Sequence, residues 1–419
     1  MVTLRSLRDS SDKFEALSTT CVVQDDFQED ESPPPPVAPQ LSSRDLDQVR
    51  ADKNARVNQS GLGPESPSAS TPTTFNSQRL PPQNVVQEGG KYFFCVIAGL
   101  FHVMTADEFS ALCHRCYRSD ADPDILDVAE MCAIASVGVQ YHPAGASDAL
   151  KDALFKTAVQ HINDLTEASP LRAVRSLACL SGFGVIEKRR STRSLIHLGL
   201  QLVRWNKIQR NNGNNDYVTW RTLYRTMAFF ECWLSTSLGY SLDLSKDEIE
   251  LVFSAIPAIG SIDDTTQIRV VQVGLMKAQT LTEVCTPQLV SVASIEYSMA
   301  KLENWRRTLP PYMQLGALME GLEARSEGGE LYSASHKGAL FLAHAMYLGT
   351  IVILHQRVLV ATADCRVTGK WSLKDVPPLK AQEYHARCVD AARASARIFI
   401  LLGFNGETSE MHKRCWLCL

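Results

Sequence analysis

Trp220-Arg221-Thr222-Leu223-Tyr224-Arg225-Thr226-Met227-Ala228-Phe229-Phe230-Glu231-Cys232-Trp233-Leu234-Ser235-Thr236-Ser237-Leu238-Gly239-Tyr240-Ser241-Leu242 is the stretch whose reading decides the fold. Leu223, Met227, Phe230, Leu234 and Leu238 recur at steps of three and four, which places them on one face of a helix. The same spacing appears on either side. Leu195, Leu198, Leu202 and Trp205 form one stripe and Ile295, Met299, Leu302 and Leu309 another, while residues 381–402 are rich in the strong helix former alanine. Start signals agree. Asp122-Pro123 and Ser169-Pro170 each set a capping oxygen before a proline at the first helical position, and Ser245-Lys246-Asp247-Glu248 reads as a capping box. Alternating strands with hairpin turns and repeats of fixed period are both missing from the sequence. The expectation is an all-α chain, a large irregular helical bundle of about eight to twelve helices, preceded by a disordered N-terminal tail.

The tail is expected over residues 1–88 and the body over residues 89–419. Pro33 to Pro36, the run Pro64-Glu65-Ser66-Pro67-Ser68-Ala69-Ser70-Thr71-Pro72 and Pro81-Pro82 come with almost no apolar period, too little to offset the entropy of ordering. Within the tail, Asp25-Asp26-Phe27-Gln28-Glu29-Asp30-Glu31 sets an aromatic ring in an acidic cluster, a composition that suits either a solvated linker or a segment that folds on a coactivator. Hydrophobic residues make up 45% of the 419 and charged ones 21%, enough apolar material for a sizeable core. A formal charge of −4 excludes a generally basic protein, so contact with nucleic acid would need a local basic patch. The 12 cysteines sit among apolar neighbours, as in Met131-Cys132-Ala133, which suits buried, reduced thiols. Residues 1–10 have no continuous apolar core and do not read as a secretory signal. Residues 339–354 are the most hydrophobic stretch, shorter than the ~20 residues a bilayer crossing takes and interrupted by His344 and Gly349, so a buried core helix is expected and no membrane partner.

The opening stretch resembles the central signature of the fungal-specific transcription factor domain, the middle homology region of the zinc-cluster transcription factors. There a helix of the form W-x-x-(F/Y)-x-x-D-R-x-x-S leads into L-G-R-P and an acidic D-x-D-I segment. In this chain Tyr224 stands at the aromatic position, Glu231 at the acidic one, Ser235 at the serine, Leu238-Gly239 at the helix end, and Asp247-Glu248-Ile249 follow. His197-Leu198-Gly199-Leu200-Gln201-Leu202-Val203-Arg204 is similar to the family's upstream (A/H)-x-x-L-G-L-x-x-R run, and Trp305-Arg306-Arg307-Thr308-Leu309-Pro310 to its W-R-x-x-L-P. Leu354-His355-Gln356-Arg357-Val358-Leu359 lies where the family shows L-H-R-P-x-L. The signature region spans roughly residues 170–256, and the likeness extends from Lys91 to the end. Cys232 stands in place of the family's arginine and Tyr240-Ser241 in place of R-P. The zinc cluster itself is missing, because no window of about 40 residues holds the six cysteines that two metals require.

The resemblance implies a regulator of transcription in the nucleus, not an enzyme, with no cofactor in this chain. Zinc is expected only with an N-terminal zinc cluster. DNA contact is implied by the family alone. The implied partners are coactivators or other transcription factors, a second copy or a relative as dimer partner, and a small-molecule effector that shifts the balance between two packings. Two forms fit: a chain from which the cluster-encoding segment is missing, or a body-only dimerisation partner that does not bind DNA itself. The end, Cys415-Trp416-Leu417-Cys418-Leu419, breaks off in an apolar run where the family continues with more helices, so truncation at both ends is expected.

Other constellations have plainer readings. Cys113-His114-Arg115-Cys116 and Cys415-Trp416-Leu417-Cys418 together offer four thiolates, yet they lie roughly 300 residues apart, and core cysteines are the expectation. Lys188-Arg189-Arg190-Ser191-Thr192-Arg193 suits a solvated loop between helices more than a localisation signal. His344 and His355 share a helix face and are expected to be satisfied core histidines rather than cavity ligands. A helical terpene-cyclase-type enzyme is the alternative class, but Asp263-Asp264-Thr265-Thr266-Gln267 ends in glutamine, and Asn163-Asp164-Leu165-Thr166-Glu167 lacks the serine of the second magnesium cluster. The phosphate loop, the dinucleotide fingerprint, H-E-x-x-H and G-x-S-x-G are all missing from the sequence.

Overall fold

The computed structural model of the chain describes residues 73–118, 122–142, 146–206, 215–239, 241–254, 262–285, 291–318, 334–369 and 376–404. These are helical, with no strand among the described residues. The helices in order are α1 (Gln83–Tyr92), α2 (Ala106–Cys116), α3 (Ile125–Gly138), α4 (Asp148–Gln160), α5 (Ile162–Ala168), α6 (Pro170–Ile186) and α7 (Thr192–Trp205). They continue as α8 (Asn215–Leu238), α9 (Lys246–Ser254), α10 (Ile262–Cys285), α11 (Val292–Arg307), α12 (Ala334–Thr368) and α13 (Pro378–Phe404). Thirteen helices of seven residues or more among the described residues exceed the eight to twelve expected, the short α5 and α9 being hard to see as periods.

Packing runs along the chain. α1 lies on α3, α3 on α6, α6 on α7 and α8, α8 on α10, α10 on α12, and α12 on α13. α3 is the most enclosed helix, since every residue from Asp127 to Gly138 is buried. Its two carboxylates are tolerated there because Arg172 donates from Nε to Glu130 at 2.7 Å and from Nη2 to Asp127 at 2.5 Å, while Arg115 Nε donates to Asp127 at 2.7 Å. A continuous apolar core joins these layers, and a smaller one, built on Ile295, Leu354, Val358 and Tyr384, joins α11, α12 and α13.

Several expectations are corrected in detail. The body begins before residue 89: Phe75 is buried with its N–H donating to Thr157 Oγ1 at 2.8 Å, and α1 starts at Gln83. Residues 1–72, including the acidic cluster at 25–31, lie outside the described residues. α3 is capped by Asp124, whose side chain accepts from Leu126 N, rather than by Asp122, so Pro123 precedes the cap. Ser169 does hold the cap position of α6 with Pro170 behind it, but its hydroxyl makes no capping bond. Ser245 and Glu248 form the expected capping box, with Ser245 N donating to Glu248 Oε2 at 2.8 Å and Glu248 N to Ser245 Oγ at 3.2 Å.

Of the apolar stripes, Leu223, Met227, Phe230 and Leu234 are buried, whereas Leu238 and Trp205, at the last residues of α8 and α7, are exposed. Residues 339–354 prove to be the middle of a 35-residue helix, α12, because Ala, Thr and Val continue its helical face well past His355. By length and composition α12 could cross a bilayer, but 67% of its most apolar window is buried inside the body, between α10 and α13.

Candidate functional site

The residues of the central signature meet at the junction of α7, α8 and α9. Tyr224, Glu231 and Ser235 lie at steps of seven and four on the buried face of α8. Gly239 then ends the helix with φ 71°, a left-handed conformation that a side chain resists, and its N–H donates to Ser235 O at 2.9 Å. The chain therefore turns without the family's R-P pair. Glu231 Oε1 accepts the backbone N–H of Asp243 at 3.0 Å, so a buried carboxylate on α8 ties down the loop that leads into α9. Its other oxygen, Oε2, is buried with no hydrogen bond among the described residues and stands 3.8 Å from His197 Nε2 on α7. Burial pushes the Glu231 carboxyl above the usual range, and the Asp243 amide and the nearby His197 only partly offset it.

Arg204, the last charged residue of α7, completes the junction. It donates from Nε to Glu248 Oε1 at 2.7 Å and from Nη2 to Glu248 Oε2 at 3.2 Å, and Nη2 also reaches the Asp243 carbonyl at 2.7 Å. A two-pronged guanidinium thus clamps the loop and the first turn of α9 at once. Burial draws the Glu248 carboxyl up, but the Arg204 hydrogen bonds and the Ser245 amide outweigh it and hold the group below the usual carboxylate value. Asp247 sits in the first turn of α9, where a negative charge favours the helix. Cys232, in the family's arginine position, is fully packed against the core with its thiol kept protonated by burial, so it supplies no ion pair. The guanidinium comes from α7 instead. His197 and Arg204 both belong to the upstream run, but nothing in the sequence shows that Arg204 pairs with a residue 44 positions away. Tyr224 is buried with no hydrogen-bond partner for its hydroxyl among the described residues, and Leu238 is exposed and takes no part.

Trp305, Arg306 and Pro310 form a second place, at the end of α11. Trp305 Nε1–H donates to Arg269 O at 3.1 Å, and its ring stacks on Tyr347 at 5.6 Å and meets His344 edge-on at 6.0 Å. Arg306 is exposed and paired with Glu303 through contacts of 2.5 and 3.0 Å. Half-buried Pro310 introduces the 3-10 turn Pro311–Met313. Beside this turn, α11, α12 and α13 enclose a cleft of about 920 Å³.

The two histidines of α12 have different fates. His344 is buried and lines that cleft. Its Nε2 lies 2.8 Å from the Met313 carbonyl, so this nitrogen carries the proton, and burial lowers the ring's pKa so that it stays neutral. His355 is wholly buried in the smaller core, where Nδ1–H donates to Ile351 O at 2.7 Å and the ring tilts against Tyr384.

Cys113 and Cys116 face the core, and burial pushes their thiols up to about 11 and about 12, so neither is a ready thiolate. Cys415 and Cys418 lie outside the described residues. Among the described residues no group of three or more His, Cys, Asp or Glu side chains comes together as a metal site. The basic run forms the turn between α6 and α7, but Arg189 is not simply solvated: its guanidinium lies over the rings of Phe155 and Phe183 and pairs with Asp152. No protein-family model, no curated protein and no solved structure matches this chain.

Proposed function

We propose that this chain is the regulatory body of a nuclear transcription regulator of the zinc-cluster kind, acting through protein contacts. The observation that carries the reading is the junction. Residues that resemble two separate family segments, the upstream run ending at Arg204 and the signature from Tyr224 to Ile249, are joined there by the hydrogen bonds of Arg204 to Glu248 and to the Asp243 carbonyl. Such a joint couples the position of α7 to that of α9, which is what a body that releases or restrains activation needs. Coactivators, other transcription factors and a second copy or a relative are the partners in this reading. DNA is reached only through a six-cysteine cluster, which this sequence does not contain. Metal and catalytic chemistry play no part in it.

The test is to tether the full chain to a heterologous DNA-binding domain in a fungal reporter strain. Reporter output is expected to change several-fold, up or down, against the DNA-binding domain alone, with the fusion in the nucleus. Output equal to the DNA-binding domain alone, from a folded and nuclear fusion, contradicts the reading.

A further inference from the structure

The cleft between α11, α12 and α13 has a lining that sorts into three parts. Its floor is apolar, made by Met299, Leu309, Leu348 and Ile351. One wall carries the neutral His344 ring, whose Nε2–H is spent on Met313 O and whose Nδ1 is therefore an acceptor. The rim is charged, and most of those charges are already paired. Arg306 is held by Glu303, which also accepts from Tyr347 Oη at 3.3 Å, and Glu296 is held between Tyr384, Lys380 and Arg387. Asp390 faces Arg393 at 3.9 Å.

Arg307 is the exception. It lines the cleft but makes no ion pair or hydrogen bond among the described residues, its charge reaching Glu303 only through space. A volume of about 920 Å³ matches the upper range of small-molecule sites, and an apolar floor with a few placed polar groups is their usual construction. An apolar floor ending at one unspent guanidinium is complementary to an amphipathic anion.

We propose that this cleft binds a small amphipathic carboxylic acid, its chain or ring lying on Met299, Leu348 and Ile351 and its carboxylate meeting Arg307. Calling that acid an effector rests on the regulatory reading above, whereas its binding does not. The test uses purified full chain and titration calorimetry with dodecanoate, and with dodecanol as the uncharged twin. Dodecanoate is expected to bind one per chain, and dodecanol about tenfold more weakly, the worth of one charged contact. Arg307→Gln, a change at an exposed residue that leaves the core intact, brings dodecanoate to the affinity of dodecanol. Leu348→Trp fills the floor and removes both, while Lys188→Gln, on the turn between α6 and α7, changes neither.

Absence of dodecanoate binding, as follows if a partner helix occupies the cleft, overturns the proposal. So does binding that Arg307→Gln leaves unchanged. Binding of dodecanoate with no change in tethered reporter output would sink the regulatory reading of the site and keep the ligand site.

Discussion

Gly138→Ala is expected to destabilise the body by about 3 kcal/mol or more, at the severe end for a single added methyl, because the clash is with backbone rather than with a side chain. A β-carbon at Gly138 would stand 1.7 Å from Gly89 O and 2.5 Å from Gly89 C. That carbonyl cannot swing aside, since it already accepts the Phe93 N–H that closes α1. α1 would have to lift off α3, exposing Val86 and Phe93, both buried. Gly349→Ala provides the control. It lies inside α12 with nothing within 4 Å of the added atom, so only helix propensity acts, and a gain of about 0.5 kcal/mol is expected. Urea unfolding of both variants distinguishes these outcomes. A Gly138→Ala protein as stable as the parent would mean that α1 and α3 do not meet as described.

The second large effect is at the junction. Arg204→Met keeps the length and apolar stem of the side chain but removes the clamp, leaving Glu248 without its counter-charge and the Asp243 carbonyl without its donor. A loss of about 3 kcal/mol is expected, because a half-buried carboxylate stripped of its partner costs more than an exposed pair ever contributes. The sign of the pH dependence follows from Glu248, whose folded-state pKa lies below its ordinary value of 4.5. A depressed carboxylate stabilises the fold above that ordinary value and loses this contribution as pH falls through its folded pKa. The gap between parent and Arg204→Met should therefore be full at pH 7 and close as pH falls below 4.5 and the carboxylate takes up its proton. Thermal unfolding at a series of pH values measures it. A gap that stays constant down to pH 3 would show that packing, not the Arg204–Glu248 pair, carries the effect.

The helical body could be read from sequence because its signal is local. Steps of three and four in Leu223, Met227, Phe230 and Leu234 reflect burial that the structure repeats, and the Ser245–Glu248 box closes within four residues. Where such local signals competed, the sequence could not choose. Asp122 and Asp124 both precede a helix and flank one proline, and only the fit of α3 into its surroundings selects Asp124. Residues 73–88 look tail-like because Pro81-Pro82 and Gly89-Gly90 hide a short helix. Gly89 is there because α3 passes too closely for a side chain and Gly90 because the Phe109 ring of α2 does, which is a tertiary fact.

The site was legible in part. Tyr224, Glu231 and Ser235 do share a buried face of α8, and Tyr224 and Glu231 reach the junction, but Trp305 and Arg306 belong to a different place, and Leu238 to none. Arg204 owes its role to a partner 44 residues on, and the cleft is built from three helices that the sequence separates by as much as 95 residues, from Glu296 to Ala391. Neither has a local pattern to announce it.

Most direct is a charge exchange across the junction in the tethered reporter. Arg204→Glu and Glu248→Arg, each alone, set like charges against one another and should abolish the reporter response, and the two together should restore most of it. Immunoblots at equal fusion level and circular dichroism of the purified variants fix the amount and the folding. If the regulatory reading holds, the double exchange regains the response that either single change loses. Full reporter output from both single exchanges, in fusions that are folded and equally abundant, would contradict it.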